Sequence, residues 1–165
     1  MSSEAKREVV AVRHDALVGA FRWSEMTIVQ HKRIVKTLAE LPPPRTPADR
    51  SLVGRSLCDA RFFVYSARML SQATDQLRDA HPALTMPPEM QEHVRVLRNC
   101  IAHWDEARSG RAFDELERLV GHRNIDTLIW SVDAPDLTFG GLRLDHVFEF
   151  SKRIRPILNN LLPRA

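Results

Sequence analysis

The residues of this chain whose types and spacing could do chemistry fall in one segment, Leu97-Arg98-Asn99-Cys100-Ile101-Ala102-His103-Trp104-Asp105-Glu106. Arg98 supplies a permanently charged guanidinium that can clamp a phosphate through parallel N–H donors. Asn99 adds an amide that can orient a neighbouring group, and His103 an imidazole that takes or gives a proton near neutral pH. A fixed cation, an orienting amide and a proton-transfer group are the parts that phosphodiester cleavage needs. The other histidines, His14, His31, His81, His93, His122 and His146, lack metal-ligand spacing and are read as structural or solvent-facing. Cys58 and Cys100 form no C-x-x-C pattern, so both are expected to be small buried apolar residues; no metal and no cofactor is expected.

A helix must position these groups. Met90, Val94, Leu97, Ile101 and Trp104 recur at i, i+4, i+7, i+11 and i+14. At about 100° per residue they centre about 80° to one side of Arg98, as a core stripe does. Arg98 flanks that stripe, while Asn99 and His103, one turn apart, point to the opposite side and make a solvent-facing polar strip with it. Arg98 and His103 diverge by about 140° around the one axis, so a single helix does not easily aim both at one phosphate. Two copies related by a two-fold axis would line one cleft with both residues of each.

The rest of the chain reads as further helices around this one. From about Arg7 to Leu41, the residues Val10, Leu17, Phe21, Ile28, Val35 and Leu38 recur at helical spacings and predict a long helix, ended by Leu41-Pro42-Pro43-Pro44. Thr46-Pro47-Ala48-Asp49 has the form of a capped start, opening a second helix to about Ala80 with Val53, Leu57, Ala60, Val64 and Ala67 on its apolar face and Phe63, Leu70 and Leu77 beside it. Pro87-Pro88-Glu89 opens the third helix, which carries the segment above. A fourth, short helix spans Phe113 to Val120, using Phe113, Leu116, Leu119 and Val120, and stops at Gly121. Residues 127–132 and 137–139 are β-prone around the turn-like Asp133-Ala134-Pro135-Asp136, which predicts a short β-hairpin closed by Gly140-Gly141. A last helix runs from about Leu144 to Leu162 with Val147, Phe150, Ile154, Ile157 and Leu161 inward, and Pro163 stops it. The expected fold is mainly α, an antiparallel helical bundle with a short β-hairpin before the last helix, forming one domain over residues 1–165.

Composition narrows the function classes. With 165 residues, 44% of them hydrophobic and 27% charged, the chain can bury a core. Its longest apolar runs have four residues, against the roughly 20 that a membrane span needs, and no secretory signal opens it, so a cytoplasmic protein without a membrane partner is expected. The net charge of +3 permits nucleic-acid contact without demanding it. Lys152-Arg153-Ile154-Arg155 reads either as an electrostatic RNA footprint or as the wet face of the last helix. Trp23, Trp104 and Trp130 could stack bases, although their positions favour core or dimer packing.

The segment Arg98-Asn99-Cys100-Ile101-Ala102-His103 resembles the motif of the HEPN family, α-helical domains of many prokaryotic RNA-cleaving toxins and defence proteins. That motif is an Arg, usually followed by a polar residue, then a His after four to six others on a late helix of the bundle; here four intervene and Asn99 is the polar one. The likeness covers about ten residues by motif and most of the chain by architecture. It implies a homodimeric, metal-independent endoribonuclease acting as a toxin or phage-defence effector, held in check by an antitoxin or regulatory protein. His103 would promote attack of a 2′-hydroxyl on the adjacent phosphate or protonate the leaving 5′-oxygen. Arg98 would stabilise the phosphate charge and Asn99 orient the substrate or the His. The substrate is then RNA, with 2′,3′-cyclic phosphate and 5′-hydroxyl products. The family also holds members without cleavage activity, so the alternative is a non-catalytic dimerisation module that binds a partner protein or a nucleotide through the same cleft.

Overall fold

The computed structural model describes residues 3–40, 50–103, 111–121, 132–133 and 137–162, with side chains described from residue 13 in the first helix and from residue 54 in the second. It is mainly helical. The first helix, α1 (Ser3–Ala39), packs along α2 (Arg50–Asp75). Then come α3 (Pro88–Ala102), α4 (Arg111–Val120) and α5 (Leu144–Leu161), the last lying against α1. His31 near the C-terminal part of α1 meets Asp145 at the start of α5, and Glu25 meets Arg155 further along it, so α1 and α5 run antiparallel. The Pro-rich link with its expected cap at Thr46, and residues Trp104, His122 and Trp130, lie outside the described residues.

The α1–α2 seam is built from small and hydroxylated side chains. Ala16, Ala20, Ser24, Thr27, His31 and Ile34 are the buried face of α1, against Ala60, Val64, Ala67 and Ala73 of α2. Small residues let the two backbones approach, and a Cβ placed on Gly19 would meet that of Ala73 at 3.7 Å. The buried hydroxyls of Ser24 and Thr27 donate to carbonyls of their own helix at Phe21 and Trp23, which satisfies both donors. This corrects the expected stripe in part: Ile28 is buried as expected, but Val35 is 44% exposed, and Leu17, Phe21 and Leu38 only flank the core. Leu119 and Ile157 are likewise exposed, and Leu158 takes the inward place on α5. In each case the helix is rotated so that a neighbouring position meets the facing helix.

The second helix also ends earlier than expected, at Asp75, in turns running to His81, whose N–H bonds the Leu77 carbonyl at 2.8 Å. Leu77 stays buried although it has left the helix. Among the described residues the β region is a hairpin with one strand more than expected, and residues 127–131 of the expected first strand lie outside them. The strands β1 (Val132–Asp133), β2 (Thr138–Phe139) and β3 (Leu142–Arg143) form an antiparallel sheet in that order, with Val132 opposite Phe139 and Phe139 opposite Leu142. Gly140-Gly141 therefore does not close the sheet but turns β2 into β3. Both glycines have positive φ, 56° and 73°, as a two-residue hairpin turn requires. Leu137 also sits at φ 46°, a costly conformation for a branched side chain, and is held there by burial.

Candidate functional site

The third helix leads to the candidate chemistry. Pro88 stands in its first turn, where a missing N–H costs nothing, and Glu89 sits at its positive end. Val94, Leu97 and Cys100 are fully buried and Met90 and Ile101 pack beside them, so the expected stripe of this helix anchors it in the core. Arg98 and Asn99 are half-buried rather than fully solvent-facing. They are brought together: the Arg98 guanidinium donates to Asn99 Oδ1 at 3.4 Å.

His103 is exposed and caps the helix, its backbone N–H on the Asn99 carbonyl at 3.1 Å. Its φ of −117° turns the residue roughly 50° about N–Cα away from the helical value. The 140° offset of an ideal helix therefore no longer fixes where the imidazole points. Among the described residues no three His, Cys, Asp or Glu side chains are grouped to hold an ion.

Two further arginines surround Arg98. Arg95, one turn earlier, is locked between Glu92 at 2.7 Å and Glu115 of α4 at 3.0 Å, with Arg111 on the far side of Glu115 at 3.2 Å. Glu92 and Glu115 are both held below the usual carboxylate range, chiefly by their hydrogen bonds to Arg95. Arg68, on α2, is partly buried, and its pKa is lowered by that burial and then by the charges of Arg95 and Arg98. Neither Arg68 nor Arg98 has a carboxylate within ion-pair distance among the described residues. Of the three clustered cations, Arg95 is paired twice, while Asp75 and Glu92 act on Arg68 only from beyond ion-pair distance.

Arg68 also connects this cluster to an apolar surface. It lines a cavity of about 560 Å³ together with Trp23, Met69, Gln72 and Gln91. Trp23 stands edge-on to Tyr65, with ring centroids 5.8 Å apart. Along α2, Cys58, Phe62, Tyr65 and Met69 follow at i, i+4, i+7 and i+11, with Phe62 62% exposed and Tyr65 45%. Met26 adds to the same surface from α1. An exposed aromatic pair in such a stripe is a mark of an interaction face.

Sequence reasoning misses Arg68, because it lies on another helix and no spacing within one element could tie it to Arg98. Arg95 carries a readable signal, standing three residues before Arg98 on the same helix edge. Cys58 is corrected from buried to exposed, whereas Cys100 is buried, its thiol donating to the Ala112 carbonyl at 3.1 Å. Burial pushes that thiol up to about 11. Among the other histidines, His31 is buried, hydrogen-bonded to Asp145 at 2.7 Å and stacked on Phe148 at 4.0 Å. His93 reaches the Gly140 carbonyl at 2.9 Å, and burial lowers its pKa.

The class that fold and site define is a mainly α bundle with a cationic, imidazole-bearing helix end beside an exposed apolar stripe. No family model matches the chain, and comparison with curated proteins and with solved structures gives no match either.

Proposed function

We propose that this protein is a metal-independent endoribonuclease of the HEPN type, acting in the cytoplasm as a homodimer in toxin or defence biology. The observation that carries the reading is the charge arrangement around Arg98. Its neighbour Arg95 is spent on Glu92 and Glu115, while Arg98 is half-buried, turned to Asn99 and without a carboxylate in ion-pair distance among the described residues, a fitting seat for a phosphate. His103 follows one turn after Asn99 at the exposed helix end.

In this reading the 2′-hydroxyl of RNA attacks the adjacent phosphorus. One His103 takes the hydroxyl proton, and the P–O5′ bond breaks as the leaving oxygen gains a proton from the His103 of the second copy. The products are a 2′,3′-cyclic phosphate and a 5′-hydroxyl, with no net proton change. Arg98, with Arg68 behind it, stabilises the charge gathering on the phosphate oxygens, and Asn99 orients the substrate. The stripe of Phe62 and Tyr65 supports a second copy docking beside the site, because Trp23 and Met69 of that surface share a cavity with Arg68.

The test is cleavage of single-stranded and structured RNA in EDTA by purified wild type, Arg98→Ala and His103→Ala proteins, with product ends mapped. Cleavage by wild type leaving cyclic phosphate, and a fall of at least about 100-fold in either variant, is expected. Equal activity in His103→Ala, or 3′-hydroxyl ends, sinks the mechanism.

A further inference from the structure

Part of the stripe expected on α1 borders a groove, with Ile28 buried at its floor and Phe21 half-buried beside it. Phe21 and Ile28 line it from α1, Phe148 and Pro156 from α5, enclosing about 770 Å³, the largest of the cavities described. Val35 continues the line at the next seven-residue step, 44% exposed. Seven-residue spacing of apolar groups on one edge is the pattern of a helix prepared for a further helix. The stretch from Phe21 to Lys32 is about 16 Å long, three turns of an incoming helix.

The rim is cationic. Lys32, Lys152 and Arg155 line the groove, and Lys36 follows Lys32 by one turn on the same edge. Lys152 lies 5.0 Å from the centre of the Phe148 ring and Arg155 5.6 Å from that of Phe21, so the charges sit directly over the apolar floor. Lys32 has no ion-pair partner among the described residues.

We propose that this groove docks an amphipathic helix of a partner protein, apolar on one face and bordered by acidic residues. RNA suits it less well. Glu25 already stands 2.9 Å from Arg155 and Glu149 3.0 Å from Lys152, which leaves Lys32 and Lys36, one turn apart, as the rim cations that two acidic side chains of an incoming helix would meet, while a continuous phosphate backbone would run past both carboxylates. A second copy in a two-fold arrangement would set this cationic rim against itself. The groove also lies on the other side of α1 from Met26 and the Phe62 surface, so occupancy leaves the self-association face open. The inference stands independently of the ribonuclease reading.

The test uses two fluorescein-labelled 16-residue helical peptides, identical in their leucine face, one flanked by Glu and the other by Lys. Fluorescence anisotropy should show the Glu peptide binding wild type and the Lys peptide not. Lys32→Glu/Lys152→Glu should weaken the Glu peptide about tenfold or more, with Lys32→Gln/Lys152→Gln between. Unchanged circular dichroism melts establish that these variants fold. Amide shifts on binding should map to Phe21, Ile28, Phe148 and Asn159. Equal binding of the two peptides, no weakening in the reversal variant, or shifts mapping elsewhere overturns the proposal. So does an RNA oligonucleotide whose binding, unlike the peptide's, is lost in the reversal variant, or a change of that variant's mass in sedimentation equilibrium.

Discussion

Replacing Gly140 by Ala tests how the β2–β3 turn holds the helix that bears Arg98. Gly140 is buried at φ 56°, and a Cβ added there would lie 2.3 Å from Leu97 Cδ1 and 3.1 Å from Cδ2. Carbon atoms in contact prefer about 3.5–4.0 Å. Leu97 is fully buried, so its methyl groups can move aside only by displacing the core around them. The left-handed conformation costs an alanine about 1–2 kcal/mol, and forcing extra volume into a packed core costs about 1–3 kcal/mol. Gly140→Ala should thus lose about 2–5 kcal/mol, a large part of the roughly 5–15 kcal/mol that holds a domain together. Gly121→Ala is the matched control. Its φ is 69°, yet no atom lies within 4 Å of the added Cβ, so it carries the conformational cost alone. Both variants stiffen the unfolded chain equally, so that effect cancels in the comparison. Urea unfolding followed by circular dichroism reads the two losses at constant m, and each kcal/mol should appear as about 2–4 °C in Tm for a chain of this length. Two variants equal within about 0.5 kcal/mol would refute the clash with Leu97.

His93 should make stability depend on pH. Its folded pKa lies below the ordinary value, so the unfolded chain binds the proton more readily. The stability this neutral imidazole contributes is complete above about pH 6.5 and is lost as pH falls through the lower folded value; urea midpoints from pH 7.5 to 5 should fall, and His93→Gln should flatten the slope in that window. The two cysteines should separate cleanly under a thiol reagent. Cys58 is exposed and Cys100 is buried with its thiol pushed up to about 11, so mass spectrometry at pH 7.5 should find one rapid and one slow modification, the rapid one mapped to Cys58.

What the sequence by itself determined is the set of helices and the stripe that anchors the third one. Residues at three- and four-step spacing share a helix face whatever the surroundings, so Val94 and Leu97 could be placed inward and Arg98 beside them without coordinates, whereas the half-burial of Asn99, expected on the solvent side, could not. Proline before α3 and the paired glycines before Leu142 are local signals for the same reason: they act on one residue's backbone. Which face of α1 became the core was a tertiary decision. Ile28 kept its expected inward place, but Phe21 and Val35 gave way to Ala16, Ala20 and Ser24, because close approach to α2 rewards small side chains more than bulky ones. The grouping of Arg68 with Arg95 and Arg98, and the neutralising of Arg95 by Glu115 from α4, likewise belong to the tertiary structure. Charge acts through space, and only the packing of α2, α3 and α4 brings residues so far apart in the chain within reach of one another.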